Sequence, residues 1–168
     1  HQLHRRQRQM CIRDSLINEG RNSIILFGVS SKKDDTGKIS CSSKSIVPKA
    51  IKEIKKTFGD KLLVMADVCN CSYTNHGHCG TIVDNDVHND LTLETLSMQA
   101  LTLAKAGADV LAPSDMMDGR VQSIRNKLDS SGFEKIPVFP YSVKYASAFY
   151  GPFSCLLYTS PSPRDLDL

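Results

Sequence analysis

The chain has 168 residues, of which 40% are hydrophobic and 23% are charged, and its formal net charge is +3. This composition is typical of a globular domain, and no stretch reaches the roughly 18 consecutive apolar residues of a membrane span. Residues 1–14 carry four arginines and one aspartate, whereas residues 15–153 hold 16 basic and 15 acidic side chains. Because the positive excess lies in one tail, we expect binding to neither membranes nor nucleic acid.

The first half of the chain predicts a strand, a helix and a second strand. The short apolar run SIILFGV at 23–29 is typical of a buried strand. In residues 46–58, apolar side chains recur at helical spacing opposite a lysine-rich face, which predicts an amphipathic helix. Its predicted apolar face consists of Ile46, Ala50, Ile51, Ile54 and Phe58. The run LLVMADV at 62–68 predicts the next strand.

The second half repeats the same alternation. Helical periodicity covers residues 91–106, and the strand ADVLAP follows at 108–113. A third helix is predicted over 114–132, beginning at capping residues, and IPVFPYS at 136–142 predicts a fourth strand. Short apolar strands that alternate with helices indicate an α/β fold with a parallel sheet.

Two architectures fit this order: an open doubly wound sheet, or about four β/α units of a (β/α)8 (TIM) barrel. The segments richest in reactive side chains all follow the carboxyl ends of predicted strands: DVCNC, PSDMMDGR and YSVKYAS. Barrel enzymes build their sites at that end, although open sheets place ligands there as well. The placement favours the barrel.

Three cysteines and two histidines lie within DVCNCSYTNHGHCG, residues 67–80. In an extended segment Cys69 and Cys71 leave the chain on the same side, and a loop containing Gly77 can return Cys79 to them. Six cysteines without a signal peptide indicate reduced thiols in the cytoplasm, where such a cluster is typical of a metal site. Thiolates select zinc over magnesium or calcium.

The number of ligands separates the alternatives for this cluster. Three protein ligands leave one zinc position open for chemistry, whereas a fourth ligand from His76 or His78 would close a structural Cys3His site. A chance grouping of cysteines beside a strand is the third alternative. The residues favour the open site, but the closed structural site and the chance grouping remain alternatives.

Further candidates follow the later strands. Lys144 lies among aromatic residues in YSVKYASAFYGPF, where burial would lower its pKa and allow a Schiff base, unless the side chain extends to solvent. Asp115 and Asp118 could serve as acid–base groups and Arg120 could bind a carboxylate. They could equally cap the next helix. Asp67 directly precedes the cysteines and could face the metal or cap the loop.

Residues 23–153 resemble the porphobilinogen synthase (5-aminolevulinate dehydratase) family. The resemblance is carried by DVCNCSYTNHGHCG, NDLTLETL, AGADVLAPSDMMDGRV and YSVKYASAFYGPF. It implies a (β/α)8 barrel that condenses two 5-aminolevulinate molecules to porphobilinogen, with loss of water, in tetrapyrrole and haem biosynthesis. It also implies a homo-oligomer, expected to be an octamer. A class I aldolase on the same barrel, or a non-catalytic zinc-binding domain, is the alternative.

The resemblance assigns roles to matching residues. Cys69, Cys71 and Cys79 match the catalytic zinc ligands, and Lys144 matches a Schiff-base lysine. His78 matches a position linked to a second, non-catalytic zinc. The expected substrate pocket comprises Asp67, Ser114, Phe149 and Tyr150.

Two departures from the family pattern limit what we expect of this chain alone. Ser154 stands where an arginine is expected after GPF, and no segment after Phe153 matches the family's second Schiff-base lysine. The ends QMCIRDS and LLYTSPSPRD resemble translated sequencing-adaptor DNA. We therefore expect residues 16–153 to be a partial barrel, 1–15 and 154–168 to be non-native, and the chain alone to be inactive and poorly folded.

Overall fold

The computed structural model describes residues 19–143, and their main feature is a parallel sheet. The strands in these residues are β1 (Ser23–Leu26), β2 (Leu63–Val68), β3 (Ile82–Val83), β4 (Asp86–Val87) and β5 (Val110–Pro113). The sheet has the order β1–β2–β5, with both neighbouring pairs parallel. The two-residue strands β3 and β4 form a separate antiparallel hairpin. The fourth predicted strand adds only partial pairing at the outer side of β5.

Three helices connect the strands of the sheet. They are α1 (Ile46–Phe58), α2 (Asn89–Ala106) and α3 (Arg120–Asp129). Short 3-10 helices cover Lys38–Cys41 and Gly59–Lys61. Parallel neighbours require such crossovers, so the described residues form consecutive β/α units. The sheet order agrees with the predicted α/β fold.

The core lies between the sheet and the helices. Along β2 the side chains of Val64, Ala66 and Val68 are fully buried, while the alternating residues between them are more exposed. This alternation places one face of the strand against the helices. The buried helix side chains packed in the same cluster are Val47, Ile51, Ile54, Leu96, Ala100, Leu103, Ala104, Ala106, Ile124 and Leu128.

The first predicted helix has the same bounds in the structure, with one correction to its apolar face. Ile51 and Ile54 are buried as predicted, but Ile46 is 50% exposed and Val47 is buried instead. Ile46 is the first residue of the helix, next to the preceding loop, and its side chain does not pack into the core. The helical stripe therefore begins one position later than the periodicity predicts.

The third helix begins later than predicted, at Arg120 rather than at residue 114. The carboxylate of Asp115 accepts a hydrogen bond from the Met117 N–H at 2.8 Å, which folds residues 115–117 into a turn. Gly119 then adopts φ = 74°, a left-handed conformation that favours glycine, directly before the helix. The segment SDMMD is therefore a loop at the strand end, and Asp115 is part of it.

The predicted strand 136–142 pairs with β5 without forming a regular strand. Phe139 N–H donates to the Leu111 carbonyl at 2.7 Å, and Tyr141 N–H donates to the Pro113 carbonyl at 3.0 Å. An isolated parallel bridge joins Val138 to Leu111. Pro137 faces β5 but has no N–H group, so the donors from this segment begin only at Phe139. The segment still extends the parallel order of the sheet by one position.

Replacing Asp109 by asparagine is expected to lower the free energy of unfolding by about 1.5–3 kcal/mol. At the amino-terminal end of the sheet, the Asp109 carboxylate accepts a hydrogen bond from the Val64 N–H and another from Lys55 Nζ, both at 2.7 Å. Asparagine has nearly the same shape but is neutral, so Lys55 Nζ and the Val64 N–H would no longer donate to a negatively charged group. Urea unfolding of the chain and the variant measures the difference.

The control is D129N, which breaks the ion pair between Asp129 and Arg125 within α3. The Asp129 side chain is 45% exposed, and exposed pairs of this kind contribute less than about 0.5 kcal/mol. Equal losses in the two variants would contradict a special role for Asp109.

Candidate metal centre

Three thiols meet directly beyond the carboxyl end of β2. The ligand atoms of Cys69, Cys71 and Cys79 all lie within 4.8 Å of one another. The Sγ atoms of Cys69 and Cys71 are 3.2 Å apart, and all three cysteines are free thiols. The residues from Cys69 to Cys79 are called the metal loop below. Its position is the end of the sheet at which parallel α/β proteins bind ligands.

Short-range hydrogen bonds fold the metal loop back on itself. The Asn70 carbonyl accepts the N–H groups of Tyr73 at 2.8 Å and Thr74 at 3.1 Å. Thr74 Oγ1 then donates to the His78 carbonyl at 2.9 Å, and this contact returns the chain to the cluster at Cys79. Asn70 and Thr74 are fully buried. The loop is therefore an ordered part of the interior and holds its cysteines in place.

The electrostatics of the cluster favour a bound cation. Hydrogen bonds from Cys69 to the other two thiols, together with burial, raise the pKa of the Cys69 thiol well above its usual value. The hydrogen bond with Cys69 lowers the pKa of Cys71, but the contact with Cys79 and burial outweigh it and raise that pKa to about 12. Charging these thiols without a counterion is costly. A divalent metal ion would supply the missing positive charge.

The donor set fits a soft metal ion. All the ligand atoms within this cluster are sulfur, and Cys69 and Cys79 are almost completely buried. Sulfur donors in threes or fours are typical of zinc and of iron–sulfur sites rather than of magnesium or calcium. The described residues therefore contain a site that could hold a soft metal ion through three thiolates.

Both histidines of the metal loop are engaged elsewhere. His78 Nδ1 accepts a hydrogen bond from the Gly80 N–H at 3.3 Å, and His76 Nδ1 accepts one from the His78 N–H at 3.1 Å. His76 Nε2 lies 3.1 Å from the Asp35 carbonyl. Within residues 19–143, no histidine nitrogen joins the three sulfur atoms as a ligand group. This arrangement favours three protein ligands over the closed Cys3His alternative.

Two of the predicted pocket residues lie at neighbouring strand ends. Asp67 is on β2 opposite Ala112 of β5, and it is half-buried. Ser114 directly follows β5, is 8% exposed, and donates its N–H to the Val68 carbonyl at 3.2 Å. Both are therefore close in the sheet to the start of the metal loop. Lys144, Phe149 and Tyr150, the remaining predicted residues, lie outside the described residues.

The carboxyl of Asp115 occupies an unusual environment in the same region. Burial raises its pKa to about 6, although the hydrogen bond from Met117 N–H and the nearby Arg120 guanidinium both act to lower it. Arg120 Nε lies 3.6 Å from Oδ2, too far for a good hydrogen bond. Arg120 instead donates through a terminal nitrogen to the Tyr141 carbonyl at 2.7 Å. The geometry gives Asp118 no comparable role, since it is exposed.

Sequence reasoning missed a residue that supports the metal loop from the helix side. Gln99 of α2 is 2% exposed, and its side-chain amide donates to the Cys69 carbonyl at 3.3 Å. The sequence does contain a signal for Gln99, because it is a polar residue beside the buried helical stripe of Leu96, Ala100 and Leu103. Such a residue usually has a specific buried partner.

Among the helices of residues 19–143, none combines the length and the hydrophobicity that a membrane span requires.

The parallel sheet, its helical crossovers and the thiols at the strand end define a β/α protein with a group of ligands that could hold a metal ion. A family model described as "Delta-aminolevulinic acid dehydratase" matches residues 4–166. The chain belongs to this family. The family is the one that the cysteine, DMMDGR and YSVK motifs predict.

Several curated relatives carry the name delta-aminolevulinic acid dehydratase. The protein of Halalkalibacterium halodurans is 49% identical over 148 residues, covering 88% of this chain and 45% of that protein. The protein of Bacillus subtilis is 49% identical over 150 residues, covering 89% of this chain and 46% of the relative. The chain therefore spans about half the length of the curated relatives it matches.

A solved structure supports the same assignment. The delta-aminolevulinic acid dehydratase (porphobilinogen synthase) of Toxoplasma gondii, crystallised with the reaction product porphobilinogen, superimposes with a TM-score of 0.76 at 42% identity. The match covers 81% of this chain and 40% of the other. The described residues therefore have the fold of one part of that enzyme.

Proposed function

We propose that this chain is part of a zinc-dependent porphobilinogen synthase, a hydro-lyase of tetrapyrrole and haem biosynthesis. The observation that carries the proposal is the group of three sulfur atoms at the carboxyl edge of the sheet, in which Cys69 and Cys79 are buried and Cys71 is half-buried. Membership of the delta-aminolevulinic acid dehydratase family gives that group its chemical setting. The reaction joins two 5-aminolevulinate molecules and releases two molecules of water.

The proposed metal is zinc, held by Cys69, Cys71 and Cys79. Three ligands leave a position at which zinc, when bound, acts as a Lewis acid and orients a substrate. We propose His78 for a second, non-catalytic zinc, because it matches a family position linked to such a site; in the structure its Nδ1 accepts the Gly80 N–H at 3.3 Å.

The proposed covalent step belongs to Lys144. Its amine would attack the ketone of one 5-aminolevulinate and form an imine with loss of water, which makes the neighbouring carbon more acidic. Asp67 and Ser114 flank the strand ends beside the metal loop and would line the substrate pocket with Phe149 and Tyr150. This assignment of roles rests on the match of sequence motifs.

The decisive experiment is borohydride trapping in the intact enzyme that contains this segment. With 5-aminolevulinate present, reduction should attach the substrate to Lys144, and mass spectrometry of the peptide YSVKYASAFYGPF identifies the site. The K144M variant should show no label at this position. Trapping by aldolase substrates but not by 5-aminolevulinate would instead favour a class I aldolase.

X-ray absorption on the zinc-loaded chain separates the enzyme from a non-catalytic zinc domain. Three sulfur neighbours and one exchangeable oxygen are expected for the enzyme, because in residues 19–143 the ligand group consists of the three cysteines without a histidine. Three sulfurs and one nitrogen would favour the closed structural site.

The setting of the protein is part of the same proposal. A thiol cluster must stay reduced to bind zinc, which supports a cytoplasmic location. We also propose a homo-oligomer, an octamer for the intact enzyme.

The limits of the native segment at residues 16 and 153 are proposed as well, and the uninterrupted gene should encode an arginine directly after GPF.

A further inference from the structure

A second loop contacts the metal loop at several points. It comprises residues 34–40, after β1, and is called the clamp loop below. Gly37 and Ser40 of this loop are buried, although the surrounding segment is polar. The contacts join two loops that are separated by about thirty residues in the chain.

The carboxylate of Asp34 gives the clamp loop its shape. Oδ1 accepts the N–H of Thr36 at 2.8 Å, the hydroxyl of Thr36 at 2.9 Å and the N–H of Lys38 at 3.2 Å. Oδ2 accepts the N–H of Ile39 at 3.0 Å. Both oxygens are therefore used, and one side chain determines the path of five successive residues.

The backbone of Asp34 also holds the metal loop directly. Its N–H donates to the Tyr73 carbonyl at 3.0 Å, and its carbonyl accepts the Asn75 N–H at 3.1 Å. The neighbouring Asp35 adds two contacts, because its carboxylate accepts from the Asn75 amide at 2.8 Å and its carbonyl meets the His76 ring. The clamp loop thus pairs with the middle of the metal loop like a short strand.

The far end of the clamp loop packs against the residue between two ligands. Gly37 has φ = 70°, and a Cβ added there would lie 3.0 Å from Asn70 Cβ. Ser40 Oγ is 3.4 Å from Asn70 Oδ1. Asn70 separates Cys69 from Cys71, so these contacts link the clamp loop to the backbone between the two ligands.

We propose that Asp34 is a positioning residue for the thiol cluster, acting through the clamp loop on Asn70 and on residues 73–75. The inference rests on the proposed function, because it takes the cluster to be a metal site. Residues that orient metal ligands in this indirect way typically change metal affinity by about 10- to 100-fold when they are removed.

The charge state of Asp34 is consistent with this role. Burial opposes ionisation, but the hydrogen bonds from Ile39, Thr36 and Lys38 outweigh it and lower the pKa of the carboxyl. The side chain is therefore a carboxylate that accepts from all four donors at neutral pH.

The test compares zinc affinity and cobalt spectra of the full chain with those of D34N and D34A. Zinc affinity is measured by competition with a chromophoric chelator, and Co²⁺ is used as the spectroscopic probe. D34A should bind zinc about 10- to 100-fold more weakly and shift the Co²⁺ visible bands, because the sulfur geometry changes. D34N retains Oδ1 but faces Ile39 N–H with a donor, so its loss should be intermediate.

D109N serves as the matched control, since it weakens the opposite end of the sheet. It should lower stability but leave zinc affinity and the Co²⁺ spectrum unchanged. If D34A does not fold, D34N carries the comparison. The inference about Asp34 would be overturned if both Asp34 variants had wild-type zinc affinity and a wild-type Co²⁺ spectrum. It would also be overturned if D109N lost as much zinc affinity as the Asp34 variants. Neither result would contradict the proposed zinc site. A wild-type chain that binds neither metal would overturn the proposed zinc site and this inference with it.

Discussion

Replacing Cys71 by serine is expected to weaken zinc binding by about 100- to 1000-fold. Structural zinc sites bind through four ligands with apparent free energies of about 10–16 kcal/mol, so one thiolate contributes roughly 2.5–4 kcal/mol. Serine keeps the size of the side chain but does not supply a thiolate at neutral pH. Competition with a chromophoric chelator on the chain and on C71S measures the loss.

Cys41 offers a matched control, because it is also a half-buried free thiol. Its Sγ donates to the Thr95 carbonyl at 3.4 Å, and it is not a member of the ligand group. C41S should therefore bind zinc as tightly as the wild-type chain. Similar losses in both variants would indicate a general effect of thiol removal and contradict the assignment of the site.

As the pH rises from about 3 to about 7, the metal-free chain is expected to lose about 3 kcal/mol of stability through the titration of Asp115. Burial raises the pKa of its carboxyl from the usual 3.8 to about 6 in the folded chain. The folded state therefore binds the proton more tightly than the unfolded state. The stabilisation from this proton is fully present below about pH 4 and is lost as the pH rises through 6. A pKa difference of about 2 corresponds to about 3 kcal/mol.

The measurement is the free energy of unfolding at several pH values, with a chelator present, for the wild-type chain and D115N. Asparagine can still accept from the Met117 N–H, so the difference between the two profiles isolates the titration of Asp115. D118N removes an exposed carboxylate from the same loop and matches the change in net charge. Parallel profiles for wild type and D115N would show that Asp115 does not carry this pH dependence.

The elements that could be predicted from the sequence are those with a strong local pattern. The helix at 46–58 has apolar residues at helical spacing and a glycine at its end, and its bounds in the structure are the same. The strand at 62–68 is a continuous apolar run, and only its first residue differs. The cysteine spacing predicted a cluster because the three residues are near one another in the chain.

The elements that were missed depend on contacts with distant residues or on single side chains. In the hairpin of β3 and β4 each strand has only two residues, which is too short for a periodic pattern in the sequence. The later start of α3 follows from the turn that Asp115 forms with Met117. The contacts of Asp34 with Tyr73 and of Gln99 with Cys69 cross 30 residues or more, and no pattern in one sequence pairs them.

All three sulfur atoms of the metal loop come from one stretch between residues 69 and 79. Closing so short a stretch costs little chain entropy, and the cost grows only slowly with loop length. A partly unfolded chain can therefore still gather these thiols around a metal ion. Metal that binds the unfolded chain as well as the folded one adds less to stability than its affinity suggests. Zinc should consequently raise the melting temperature by less than its dissociation constant would predict, and it can be captured early in folding.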